Sequence, residues 1–364
     1  LPNTSIYVAK IATEDFYVND DPNMDNTPPM LINTAINYQA AGKTIFVEAG
    51  SYNEILVINK SLELLGANAD VACGSRGSES IIAPTSGLPF SVTADGVTIN
   101  GFEITAPSNT YAINGSNTSD LNISFNNIHH VGSSLTSGYV HAVLYQVANA
   151  TTTENVSISD NCFSYIGSSS LTGSSATAVG ILQSTSTGVL TDLFIERNTI
   201  EYIEVNTGNW PTGKIAYGIQ LNTGSANYTT TNGKIVNAQI IDNTITHLKG
   251  FISTGIGLEG NTENAIVEGN TVFFETYKNL FGDVSNPYDL TDKIDDKTVE
   301  FEYAYYNPSI TFEVSNNQEV LGDSKVMSGD TSTFVKNDNT HFNEVFNYVG
   351  DDGELRIRLA EPNI

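Results

Sequence analysis

VSISDNCFSYI, residues 156–166, sets apolar Val156, Ile158 and Phe163 around one asparagine, Asn161. Four other segments repeat that arrangement: LNISFNNIHHV (121–131), LFIERNTIEYI (193–203), AQIIDNTITHL (238–248) and AIVEGNTVFFE (265–275). The asparagines Asn126, Asn161, Asn198, Asn243 and Asn270 define position zero. Position −5 then holds Leu121, Val156, Leu193, Ala238 and Ala265, and position −3 holds Ile123, Ile158, Ile195, Ile240 and Val267. Position +2 holds Ile128, Phe163, Ile200, Ile245 and Val272. Alternation on either side of the asparagine predicts two half-buried strands, and the change of parity between −3 and +2 requires a bend. Asparagine suits the bend because it tolerates left-handed backbone and its amide bonds nearby main chain. Copies stacked at about 4.8 Å would let each amide bond the next, so the column reads as an architectural ladder.

A second phrase alternates with the first: HAVLYQ (141–146), AVGILQ (178–183), AYGIQL (216–221) and STGIGL (253–258). It recurs every 37 or 38 residues, whereas the asparagines are 35, 37, 45 and 27 apart. Constant strand order with loops of variable length describes a solenoid of β-coils. Looser copies lie upstream in TIFVEAGSYNEILVINKSLELLGAN (44–68), ESIIAP (79–84), FSVTADGVTINGFEIT (90–105) and YAING (111–115). Seven or eight coils are expected between residues 44 and 275. PPMLINTAINYQAAG (28–42) predicts one helix, opened by proline and ended by Gly42, capping the apolar end of the solenoid.

The chain carries 41 acidic and 15 basic residues, a formal charge of −26. That surface repels nucleic acid and anionic lipid, and it disfavours polyanionic glycans unless a cation bridges them. No apolar run approaches the length of a membrane span. The chain opens at Leu1 without a charged-then-apolar leader and reads as a processed mature chain or an excised fragment. Cys73 and Cys162 allow a single bridge, but they lie 89 residues apart and are expected to be free thiols.

LINTAINYQAAGKTIFVEAGSYNEILVINKSLELLGANA (31–69), GVTINGFEIT (96–105) and the asparagine-centred copies resemble the right-handed parallel β-helix superfamily that includes pectin and pectate lyases. The resemblance implies an all-β, right-handed, single-stranded parallel β-helix with an N-terminal capping helix and a C-terminal strand-rich extension. The implied boundaries are 1–43 for the N-terminal segment and cap, 44–275 for the coils, and 276–364 for further coils or a capping β-rich extension. It does not select a function, because the superfamily includes lyases, hydrolases, esterases, epimerases, adhesins and phage tailspikes. The Asp-Asp and Gly-His-Gly phrases of polygalacturonases have no match here, nor have the pectin methylesterase phrases. Uronate lyases of this fold use a Lys or Arg base, often with calcium. This chain has Arg76, Arg197, Arg356 and Arg358, while Lys214 and Lys249 are the lysines considered for a base; nothing in the sequence marks a site around any of them.

Other candidates each carry two readings. Position +4 holds His130, Tyr165, Tyr202, His247 and Phe274, all rings. They predict a stacking column, and if it faces outwards, Tyr165 and Tyr202 would serve a sugar-binding platform. Trp210, in NTGNWPTGK (206–214), is a ligand contact or packs over the coil wall, and Tyr145 and Tyr217 add candidate contacts. VNDDPNMDNTP (18–28) sets Asp21, Asn23 and Asp25 two residues apart, either as the opening of a calcium loop or as an acidic turn. Asn26 stands where that loop needs glycine, and Ile32 where it needs glutamate.

The sequence thus reads as a secreted or cell-surface module for adhesion, surface architecture or glycan binding, non-catalytic and with calcium as the one candidate cofactor. Its expected partners are a glycan or a matrix component, with self-association or further modules in the same chain. The alternative is a secreted polysaccharide lyase or glycoside hydrolase with a divergent, calcium-dependent site. A trimeric tailspike-like shaft is a third reading.

Overall fold

The computed structural model describes residues 16–18 and 31–274, except 149, 173–174, 183–186, 207–214, 224–232, 251 and 260–261, together with strand backbones between 301 and 359. The chain winds as a right-handed parallel β-helix whose three sheets contain 12, 10 and 10 strands. We call these the first, second and third flanks. One coil runs Leu121–Ser124 on the first flank, Asn127–His129 on the second and Val140–Gln146 on the third. The next runs Thr152–Ser159, Cys162–Gly167 and Ala176–Leu182. Each strand pairs in parallel with its counterpart one coil away, and Ile123↔Ile158 and Ile128↔Phe163 are in register. The asparagine-centred segments therefore stack residue on residue, as their spacing predicts.

The bends fall at regular five-residue intervals. Left-handed φ values occur at position −6 (Asp120, Asn155, Asp192, Asn237, Asn264) and position −1 (Phe125, Asp160, Arg197, Asp242, Gly269). They recur at position +4 (His130, Tyr165, Tyr202, His247). Each left-handed residue reverses the in–out parity of the strand that follows it. Positions −5, −3, 0, +2 and +5 consequently all point inward, and in the coil of Asn161 they are Val156, Ile158, Asn161, Phe163 and Ile166, each at most 1% exposed. The sequence assigned the left-handed bend to the asparagine, but the residue before it adopts that conformation. Left-handed backbone costs roughly 1–2 kcal/mol for a residue with a Cβ. Its N–H is nevertheless used: Asp160 N–H donates to Glu196 O at 3.0 Å and Arg197 N–H to Ile241 O at 2.9 Å, so inter-coil bonding continues round the corner.

The five asparagines form the expected ladder inside the corner, at 0–1% exposure. Asn161 Oδ1 accepts from Asn126 N–H at 2.9 Å and Asn126 Nδ2 at 3.1 Å. Its Nδ2 donates to Ile123 O at 2.8 Å and Ser159 O at 3.0 Å. Asn198, Asn243 and Asn270 repeat the pattern. At the upper end the amide of Asn126 accepts from Phe102 N–H at 3.0 Å. Two coils before Asn126, Ser80 takes the same place, its hydroxyl donating to Val47 O at 2.7 Å and accepting from Ala67 N–H at 2.9 Å. Buried main-chain groups at these corners thus find partners that strand pairing alone does not supply.

The cap helix, Ile32–Tyr38, is shorter than the sequence pattern and has no side-chain cap of its own. Glu54, from the first coil, accepts from Ile32 N–H at 2.8 Å and Asn33 N–H at 3.0 Å and so satisfies its N-terminus. At the other end, strands Phe301–Asn307, Thr311–Ser315 and Gln318–Leu321 extend the three flanks in parallel. Four strands between Lys325 and Leu359 then pair antiparallel. These four strands lengthen the same three flanks.

Cys73 and Cys162 are disulfide-bonded, with Cα atoms 5.8 Å apart. This corrects the expectation of free thiols. Cys162 lies three coils beyond Ser80–Ile82, and the 66–79 excursion from the second coil runs along the corner column to reach it. Arg76 anchors that excursion, donating to Phe125 O and to Phe102 O, the latter at 3.1 Å, and pairing with Glu79 at 2.7 Å. Gly101 (φ 82°) lies beneath it, and a Cβ there would fall 2.2 Å from Ala69 N.

Candidate functional site

The outer face of the second flank gathers half-buried polar residues of the repeat. Its parallel register aligns one row through Glu103, Asn127, Cys162, Thr199 and Thr244. A second row runs through Thr105, His129, Ser164, Glu201 and Thr246. One long border is the ring column at position +4. Successive ring centroids are 5.0 Å apart for His130–Tyr165, 4.9 Å for Tyr165–Tyr202 and 4.3 Å for Tyr202–His247, with interplanar angles of 21°, 3° and 23°. The column faces solvent, with Tyr165 49% and Tyr202 39% exposed. The ring faces rest on one another, so the column presents ring edges and phenol groups towards solvent. Stacking of this kind contributes about 0.5–1.5 kcal/mol per pair, which is comparable with the cost of left-handed backbone at the same positions.

The opposite border is the position −1 column. Arg197 binds Asp160 through Nε and a terminal nitrogen, both at 2.9 Å, and reaches Glu196 at 2.6 Å. These charge-assisted bonds raise its pKa. Lys249 pairs with Glu204 at 2.7 Å. Arg197 and Lys249 are therefore both engaged with carboxylates. At the upper end of the ring column burial, and secondarily the neighbouring His129, lower the pKa of His130.

The candidate ligand contacts separate. Tyr165 and Tyr202 are adjacent and outward. Tyr145 is 0% exposed, belongs to the hydrophobic core and donates its hydroxyl to Thr118 O; Tyr217 is 5% exposed. Burial of these two corrects their assignment to a binding surface, since the third-flank strands are covered on both sides. Trp210, Lys214, Asp21, Asn23 and Asp25 lie outside the described residues. Among the described residues no three His, Cys, Asp or Glu side chains converge as metal ligands, and no helix is long and apolar enough to cross a membrane. Sequence reading passed over Glu103 and His129, which meet at 3.2 Å. The only signal was the His129-His130 doublet at positions +3 and +4.

No family model matches this chain, and no curated protein matches it. Among solved structures it is similar to ORF18 of Geobacillus virus E2, at 12% identity and a TM-score of 0.37, over 98% of this chain and 77% of that one. A similarity this slight bears on neither fold nor activity.

Proposed function

We propose that this chain is an extracellular or cell-surface module of the pectin-lyase-like superfamily that holds an elongated neutral glycan along its second flank without turning it over. The observation that carries the reading is the outer face just described, where it continues past the disulfide that ties Cys162 to the 66–79 excursion. Asparagine, serine, threonine and glutamate side chains recur at coil spacing, about 4.8 Å, beside a solvent-facing row of phenol edges. Such a face offers one set of hydrogen-bonding groups per coil to a linear ligand lying along the solenoid. The charge of −26 favours a neutral chain over a polyanionic one. The disulfide supports an oxidising compartment outside the cytosol. Engagement of Lys249 and Arg197 with carboxylates supports a binding role over base catalysis.

The test is a panel of neutral and uronate polysaccharides, with and without calcium, scored for binding and for release of reducing or unsaturated ends. Tyr165→Asn combined with Tyr202→Asn removes the rings but keeps residues that tolerate left-handed backbone. Binding should fall at least ten-fold in that variant with the circular dichroism spectrum unchanged. Unaltered affinity would move the binding site elsewhere, and product release by the wild type would replace binding with catalysis.

A further inference from the structure

His129 and His130 are sequence neighbours, and in a regular strand their side chains would point to opposite faces. The left-handed corner at His130 (φ 54°) brings both imidazoles to one side, with ring centroids 5.0 Å apart and planes at 79°. Their Nδ1 atoms approach to 2.7 Å. On its far side, His129 Nε2 meets Glu103 Oε1 at 3.2 Å, and His130 is held flat against Tyr165 at 5.0 Å. Both rings are thus oriented by contacts outside the pair, and the same type of nitrogen on each faces the other.

We propose that His129 Nδ1 and His130 Nδ1 form a two-imidazole site for a divalent late first-row transition metal, Cu(II) before Ni(II) and Zn(II), with water in the remaining positions. Two nitrogens 2.7 Å apart subtend about 80–85° at a metal held at about 2.0–2.1 Å, close to the bite of two adjacent positions in square-planar or octahedral coordination. A tautomer change and a rotation of the two rings off the line joining their Nδ1 atoms are needed. The proton shared between the two Nδ1 atoms is given up and each ring carries its proton on Nε2, where His129 donates to Glu103. A carboxylate behind a ligating imidazole fixes its tautomer and raises its basicity. Preference for Cu(II) follows the general affinity order at nitrogen sites.

The site is tested on chelator-treated full-length chain without an affinity tag, by calorimetric titration with Cu(II), Ni(II) and Zn(II) and by electron paramagnetic resonance of the Cu(II) form. One Cu(II) per chain, with hyperfine structure from two nitrogens, is expected. His130→Tyr and His129→Ser import residues that already occupy the equivalent places as Tyr165 and Ser164, so both variants should fold. Each should weaken Cu(II) binding at least ten-fold, and Glu103→Gln should do so by about 10-fold or more. Equal binding by the wild type and by the His129→Ser/His130→Tyr double variant would overturn the site. Wild-type affinity in Glu103→Gln would overturn the part assigned to the carboxylate.

Discussion

Asn161→Ala tests whether the asparagine column is architectural. The amide is 0% exposed, and its removal strands the buried Asn126 N–H and weakens the bonding of Ile123 O. Asn126 N–H loses the 2.9 Å acceptor it reaches across the coil boundary, and Ile123 O loses a 2.8 Å donor. The amides of Asn126 and Asn198 each also lose a side-chain partner, at 3.1 Å in both cases. A buried polar group left unpaired costs about 1–3 kcal/mol, so the stranded Asn126 N–H predicts a loss of about that size. Because each coil touches only its neighbours, this loss falls at one interface and can split unfolding into two steps. Urea denaturation followed by both circular dichroism and tyrosine fluorescence measures it, with coincidence of the two probes as the check on cooperativity. Asn161→Ser is the control, since Ser80 fills the equivalent place earlier in the solenoid with its hydroxyl on Val47 O; it should retain part of the stability. A loss under about 0.5 kcal/mol in Asn161→Ala, the range of a neutral surface change, would refute the buried ladder.

Two further outcomes follow from buried chemistry. Reducing the Cys73–Cys162 bond, or replacing both cysteines with serine, releases a closure spanning 89 residues. Chain entropy alone sets that effect at about 4–5 kcal/mol, read as a fall in the denaturant midpoint under reducing conditions that the serine variant no longer shows. His141 is 2% exposed, and burial lowers its pKa to about 4 from the ordinary 6.5. Its contribution is therefore complete above pH 6.5 and is lost as pH falls from 6.5 to about 4, because the unfolded chain takes up the proton first; the interval corresponds to about 3 kcal/mol. The difference in stability between the wild type and His141→Thr, which imports the Thr177 side chain of the next coil, should narrow by that amount across the interval. A difference independent of pH would show that His141 is not buried as a neutral ring.

Much of the architecture is legible because it is periodic. The asparagine column, the apolar positions at −5, −3 and +2 and the ring column at +4 are one-dimensional patterns, and stacking converts each into a row. The position of the left-handed residue was misread because asparagine is the usual occupant of that conformation. Here Phe125, Asp160 and Arg197 adopt it instead, leaving the asparagine amide inside. The candidate site was less legible. Tyr145 and Tyr165 look alike in sequence, yet one lies in the core and the other at an outer corner, since parity changes at every bend and a bend displaced by one residue exchanges inside and outside.

The sequence by itself determined a parallel solenoid and the ladder formed by its asparagines, because equal spacing of like residues admits one stacked register. Only the tertiary structure decided that the ring column faces solvent, that Cys73 reaches Cys162, that Glu54 caps the first helix and that Glu103 stands behind His129. Those contacts join residues from different coils or from excursions between them. Their partners are set by loop path and corner geometry, and no local spacing in the chain records either.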